Sequence, residues 1–394
     1  MRDVVVALAL RTPVGRAGKG AFRQTRPDDL GAAVVHALLA AARALDPAEV
    51  GDVIMGCAMP EAEQGMNVGR NVALLAGLPD SVPGLTVNRF CASGLEAINL
   101  GALAIRAGQS DFVIAGGLES MTRVPMGGYR YLPNATLFAA NEGAYLAMGL
   151  TAENLAREDG VTREAQDAFA LASHRKAVAA QQAGRFAAEL VPVSTRTADP
   201  DADGRPVVRE ITVTADEGPR ADTSLDALAR LKPAFLEGGT VTAGNSSQMS
   251  DGAAAVLLAT PKAAARIGLT PLARVVAYAV AGVPPAVMGI GPVVAVPKAL
   301  ERAGLSLDEI DVIELNEAFA AQSLAVLRRL GLADDDPRVN PNGGAIALGH
   351  PLGCSGAKLT TTALHELHRR SGRYALVTMC VGTGMGAAGI FERI

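Results

Sequence analysis

Two cysteines, one histidine and one asparagine stand where this chain could do chemistry. Cys91, in "NRFCASG", lies between a short apolar run over 85–88 and an amphipathic stretch over 93–106 that Gly108 closes. A strand leading into a helix puts Cys91 at the helix N-terminus, where unpaired N–H groups and the dipole favour a thiolate. The thiolate is the nucleophilic form, so the expectation is a thiol of lowered pKa. Position alone also allows an inert buried cysteine. His350, in "GGAIALGHPLGCSGAKL", sits in a glycine-rich loop and is fixed by Pro351. Of the other four histidines, His36, His365 and His368 fall on helical patterns and His174 on a further helix, as ordinary surface or satisfied residues.

Cys380, in "TMCVGTGMGAAG", follows the apolar strand pattern "RYALVTM", with Gly382, Gly384 and Gly386 opening the backbone around its sulfur. Ligands of α/β sheets collect at the carboxyl ends of strands, which is where Cys91 and Cys380 both fall. The glycines do not have dinucleotide-loop spacing, and no helix with a distal acid follows them. Asn316, in "IELNEAFAAQ", lies just past another strand, beside Glu317, and is placed to cap the helix that starts there. A capping role and a chemical role are compatible.

These groups need a large scaffold. A chain of 394 residues, 49% apolar with 43 glycines, predicts two or three globular domains. A net charge of −4 without charge blocks, no Trp and few aromatics argue against nucleic acid. No apolar run is long enough to span a membrane, and the opening "DVVVALAL" reads as a first core strand, not a secretory leader. The expected compartment is the cytoplasm. Cys57, Cys91, Cys354 and Cys380 form no CxxC pair, so neither structural zinc nor disulfides are expected.

β-rich runs alternate with helical ones, which predicts parallel sheet covered on both faces. The order then recurs. The segment 32–56 is echoed by 293–316, with Asp52–Ile54 answered by Asp311–Ile313. "CASGLEAINLGALAI" is echoed by "GCSGAKLTTTALHEL", and "DFVIAGG" by "YALVTMC". A duplicated core follows, interrupted by a segment of different composition that holds a long helical block (151–190) and the acidic "TADPDADGRPVV". The expected division is a first half of 1–119 with 250–270, an inserted domain of 120–249, and a second half of 271–394.

Taken together and in this order, "NRFCASG", "NEAFA", "GHPLGCSGA" and "CVGTGMG" resemble the thiolase family over essentially the whole chain. The resemblance implies an α/β fold of two like halves in a five-layered αβαβα core, with a loop domain over the site and a homodimer or homotetramer as the assembly. It implies cleavage of 3-oxoacyl-CoA by CoA through an acyl-cysteine, needing no cofactor and no metal, CoA being a substrate. In that scheme Cys91 is the nucleophile, His350 its base, Asn316 part of an oxyanion hole, Cys380 the second acid–base, and Gly382 a backbone donor. Arg220 and Ser247 would meet CoA, and Ala234, Phe235, Ala243, Met148, Met288 and Phe319 would line the pantetheine slot.

"GNSSQMSDGAAA", "DEGPR" and Ala147 resemble the degradative 3-ketoacyl-CoA group more than acetyl-CoA C-acetyltransferases that form acetoacetyl-CoA. Thr383 departs from the family pattern, in which glycine is frequent. The remaining alternative is a thiolase-like protein that binds acyl-CoA or lipid without turnover, whose usual sign is loss of a catalytic Cys or His.

Overall fold

Near-continuous runs of Val, Ile, Leu and Ala form strands here because both faces of the sheet are covered. The computed structural model describes residues 2–394. The first half comprises β1 (Val5–Arg11), β2 (Gly15–Arg16), α1 (Pro27–Ala41), β3 (Val50–Gly56), α2 (Val68–Leu75), β4 (Gly84–Val87), α3 (Ser93–Arg106) and β5 (Phe112–Ser120). After β5 come α4 (Ala135–Ala140), α5 (Met148–Glu158), α6 (Arg163–Gln182), β6 (Val193–Pro200), β7 (Pro206–Val213) and α7 (Leu225–Ala229). The chain then returns to the sheet as β8 (Ser250–Ala259) and α8 (Pro261–Arg266). The second half comprises β9 (Ala273–Gly282), α9 (Gly291–Ala303), β10 (Val312–Leu315), α10 (Ala320–Arg329), α11 (Ala345–Leu348), α12 (Leu352–Arg369), β11 (Tyr374–Val381) and β12 (Met385–Arg393).

The principal sheet runs β10-β11-β12-β9-β1-β8-β5-β3-β4, and β2 adds to β8. Its two wings are wired alike. β1, β8, β5 and β3 occupy the places that β9, β12, β11 and β10 occupy in the other wing, with the same parallel and antiparallel senses. A short β1–β9 pairing at Val5↔Arg274 and Val6↔Ala273 joins them. α3 and α12 lie between the wings, packed on each other and on strands of both. α1 and α2 cover one outer face and α9 the other, which makes five layers.

Side-chain alternation sorts the core accordingly. Phe112 and Ile114 of β5 turn to the α1 side, whereas Val113 and Ala115 turn to the central helices. Burying a side chain such as Phe112 contributes about 2–3 kcal/mol. The centre depends on two glycines, Gly94 of α3 and Gly356 of α12. A Cβ on Gly356 would sit 2.3 Å from the Leu95 nitrogen, and one on Gly94 would sit 2.8 Å from the Ala357 nitrogen. The first turn of α3 therefore touches the first two turns of α12 backbone to backbone.

The repeated Asp-Val-Ile differs from the expectation in register. Ile54 faces the central layer, but Ile313 faces the outer layer, with Val312 turned inward. The two triplets lie on corresponding strands one residue out of step, and a one-residue slip exchanges the faces. The expected long helical block is also divided, at Gly160 (φ +61°), into α5 and α6.

The segment between β5 and β8 is fastened to β1 by charge. Arg11 is fully buried and donates from Nε to Glu189 at 2.6 Å and from its terminal nitrogens to Asp216 at 2.7 and 2.9 Å. Removing either acid would leave the buried cation with a single counter-charge and unmet N–H donors. No helix among the described residues is long and apolar enough to cross a membrane.

Candidate active site

Cys91 sits on a 3-10 turn, Phe90–Ala92, between β4 and α3. Phe90 has φ +44°, a left-handed conformation that costs a bulky residue about 1–2 kcal/mol. Neighbouring polar groups hold it there. Phe90 N–H donates to Asn88 Oδ1 at 2.8 Å, and Ser93 Oγ accepts from Arg89 N–H at 2.9 Å while donating to Phe90 O at 2.6 Å. The sulfur is buried against Ala58 and Leu352 and receives the N–H groups of Gly382 and of Cys91 itself.

The expected lowering of the Cys91 pKa is not observed. Burial pushes the thiol up to about 12, more than the two N–H donors pull it down, and the negative charge of Glu119 adds to the rise. At rest Cys91 is a thiol and requires a base.

His350 is that kind of group. It lies just before α12 and is 5% exposed, its N–H donating to Gln248 O at 3.0 Å. Nδ1 is 2.5 Å from Ser355 Oγ, and Ser355 donates onward to Pro351 O at 2.9 Å. Nε2 is 3.2 Å from Asn316 Nδ2. With the Asn316 amide donating, Nδ1 carries the proton and Nε2 keeps its lone pair. Burial, aided by the Lys358 charge, holds the imidazole pKa down to about 3, so the ring is neutral.

Asn316 lies one residue beyond β10, its N–H donating to Thr378 O at 3.0 Å. It does not cap the next helix, as the sequence suggested. α10 begins at Ala320 with Phe319 at its N-cap, and the Asn316 amide is turned to His350 instead. Its Oδ1 has no hydrogen-bond partner. Glu317 turns the other way and accepts from Ser173 Oγ (2.6 Å), Asn340 Nδ2 (2.8 Å) and Ile346 N–H (3.2 Å).

Cys380 lies near the end of β11 in a cluster with Met288, Ala318, Phe319 and Met148. Burial raises its thiol pKa, and the adjacent Cys91 sulfur raises it further. The hairpin to β12 carries Thr383 at φ +65° and Gly384 at φ +87°. Thr383 thus occupies a position that suits glycine. No helix follows Gly386, in keeping with the absence of a dinucleotide loop.

The other candidate positions fall into two groups, one at a surface cavity and one beside Cys380. Arg220 and Ala243 are exposed and line a cavity of about 230 Å³ with His174, Thr223, Leu231 and Gln248. Ala234 and Phe235 are also exposed. The Phe235 ring meets that of Phe319 edge to face at 5.8 Å. Ser247 N–H donates to Ala318 O at 2.9 Å. Met148, half-buried, has its sulfur 3.9 Å from where a Cβ on Gly382 would stand, and Phe90 is 3.7 Å from the same point. Met288 (2% exposed) and Phe319 (8%) are buried in the Cys380 cluster.

Three participants were not anticipated. Ser355 fixes the His350 ring, and its one signal is the Ser-Gly it shares with Ser93 and Gly94. His174 is no surface residue. It is 5% exposed and accepts the Arg220 N–H on Nδ1 at 3.2 Å, and burial with the Arg220 and Arg16 charges lowers its pKa to about 4. Glu119 carries no local pattern that marks it. Among the described residues no group of His, Cys, Asp and Glu side chains could hold a metal ion.

Comparison with known proteins matches this architecture in two pieces. Residues 4–262 match the model "Thiolase, N-terminal domain" and 269–393 the model "Thiolase, C-terminal domain". A "3-ketoacyl-CoA thiolase" of Bacillus subtilis is 51% identical over 392 residues, covering 100% of both chains. A "3-oxoadipyl-CoA/3-oxo-5,6-dehydrosuberyl-CoA thiolase" of Escherichia coli is 50% identical, again with 100% of each covered. The crystal structure of the Bacillus anthracis acetyl-CoA acetyltransferase superimposes with a TM-score of 0.89 at 40% identity, covering 100% of this chain and 99% of that one. Matched in both halves and alike over its full length, the chain belongs to the thiolase family.

Proposed function

We propose that this protein is a 3-ketoacyl-CoA thiolase, an acyltransferase that cleaves 3-oxoacyl-CoA with CoA. The observation that supports the reading is the meeting of the two thiols and the Gly382 N–H, beside a hydrogen-bonded Asn316–His350 pair that the chain ties to both sulfurs, His350 lying two residues before Leu352 at Cys91 and Asn316 bonding to Thr378 two residues before Cys380. His350 Nε2 takes the Cys91 proton as sulfur attacks the 3-keto carbon. The bond between C2 and C3 breaks, its electron pair passing to acetyl-CoA as the enolate, while the acyl group stays on Cys91. His350 and a water held by Asn316 stabilise the enolate oxygen, in keeping with the free Oδ1. Cys380 gives its proton to the enolate carbon and completes acetyl-CoA.

Cys380, now a thiolate, takes the proton of a second CoA thiol, which attacks the acyl-Cys91 thioester. The N–H groups of Cys91 and Gly382, which already converge at the sulfur, suit the oxyanion of that step. Cys91 leaves and regains its proton from His350. The chemistry requires no metal and no redox cofactor. Arg220 and Ser247 would contact CoA, and Ala234, Phe235, Ala243, Met148, Met288 and Phe319 its pantetheine. The reading includes a cytoplasmic homodimer or homotetramer.

Two measurements test it. Cys91→Ser should lose the covalent acyl adduct seen by intact-protein mass spectrometry; a variant that keeps full activity would refute the assignment. Cleavage rates should be compared for acetoacetyl-CoA, longer 3-oxoacyl-CoAs and 3-oxoadipyl-CoA. A strong preference for the four-carbon substrate would instead identify an acetyl-CoA C-acetyltransferase, the activity named for the Bacillus anthracis structure. No turnover with any of them would leave a binding protein.

A further inference from the structure

The Glu119 carboxyl, 1% exposed near the end of β5, is surrounded by donors from three segments. Oε2 accepts the N–H of Ala58 at 2.8 Å and that of Gly353 at 2.8 Å. Oε1 accepts the N–H of Met59 at 3.2 Å and the Gln64 amide at 2.7 Å, and the Cys57 thiol approaches it at 3.8 Å. No hydrogen bond formed by the carboxyl requires it to donate. Burial raises its pKa, but a carboxylate is the form that such a set of donors satisfies.

The donors are not scattered. Ala58 is one wall of the Cys91 sulfur, and Gly353 is in the first turn of α12, three residues after His350 and next to Leu352, the other wall. The space is tight, since a Cβ on Gly353 would lie 2.7 Å from Cys57 Cα and 2.8 Å from Glu119 Oε2.

We propose that Glu119 is a positioning residue: its carboxylate ties the loop behind Cys91 to the helix turn that follows His350, and so sets the separation at which sulfur and imidazole meet. The inference rests on the reading of Cys91 and His350 as nucleophile and base. It has a second consequence. Burial is the main cause of the raised Cys91 pKa, and the Glu119 anion adds to it, so the carboxylate reinforces the protonated state of the nucleophile.

The test uses Glu119→Asp and Glu119→Gln in the intact enzyme. Glu119→Asp keeps the charge but shortens the reach, so kcat should fall on the order of 10- to 100-fold, as for a misplacement of about 1 Å, while KM for CoA stays unchanged. Glu119→Gln should also turn over slowly, yet its Cys91 should react with iodoacetamide several-fold faster than wild type at the same pH. Glu119→Asp should be alkylated at the wild-type rate, a contrast that simple loosening would not give. An Asp variant with wild-type kcat overturns the proposal, whether or not the Gln variant folds. So does a kcat loss matched by a proportional change in KM, or equal alkylation rates in the two variants. Failure of the wild type itself to label at Cys91 would refute the parent reading and not this one.

Discussion

The two wings of the sheet share their wiring and differ in how they end. In the first, β3 and β5 run out into Cys57 and Glu119, whose polar atoms are consumed by neighbouring backbone and by Gln64. In the second, β10 and β11 run out into Asn316 and Cys380, where one amide oxygen has no partner and one thiol faces an apolar cluster beside a second sulfur. Duplication supplied two equivalent strand ends. One has become a strut, and the other has kept its functional groups free.

The largest contrast should appear when one cysteine at the strand ends of each wing is changed. Cys380→Ser should slow turnover roughly 1000-fold, the scale of a lost acid–base group, while the acyl adduct on Cys91 still forms. Cys57→Ser should leave turnover unchanged, because its hydroxyl can still donate to Glu119. Steady-state rates and intact mass together check both, and equal losses would erase the distinction between the wings.

The shared element between the wings is the crossing of α3 and α12. Gly356→Ala would force a methyl to 2.3 Å from the Leu95 nitrogen and should cost about 3 kcal/mol, read as a lower urea midpoint. A smaller effect follows from the two depressed histidines. His174 and His350 titrate near 4 and 3 in the folded chain against 6.5 when unfolded, so the unfolded chain binds more protons below pH 6.5. Their contribution to stability is complete above pH 6.5 and is lost as pH falls from 6.5 toward 4 and 3. His174→Gln should make that decline shallower by one proton, measured from denaturant midpoints across the range. The smallest effect belongs to the β6–β7 hairpin, where Arg196 and Glu210 pair at 2.9 Å with both side chains 75% exposed. Glu210→Ala should not measurably move the midpoint, since pairs of this kind are screened by solvent.

The sequence made the reactive side of this comparison visible and concealed the structural side. Cys91, His350 and Cys380 stand out because an uncommon residue within three positions of a glycine at a strand or helix end is a local pattern, and Asn316 because it is a polar residue just past an apolar strand. The echoes located corresponding elements, yet the Asp-Val-Ile triplet misjudged their register, because residue identity does not say which face of a strand meets a helix. The Cys91 pKa was misjudged for a related reason. Helix position is local, but burial by Ala58 and Leu352 is assembled from segments more than 30 and more than 250 residues away. Glu119 and Ser355 act through partners of that remote kind, and His174 has the appearance of an ordinary helical residue until Arg220 folds against it.

The contact of Gly94 with the first turn of α12 has an electrostatic side. Two amino-terminal helix regions are brought together with no side chain between them, each carrying the positive end of its own dipole. The positive ends of two helix dipoles thus lie at the centre of a molecule whose formal charge is −4, and Glu119 already takes up one of the N–H groups there, that of Gly353. A main-chain dipole does not titrate, so this contribution to the local field is the same at every pH at which the chain is folded.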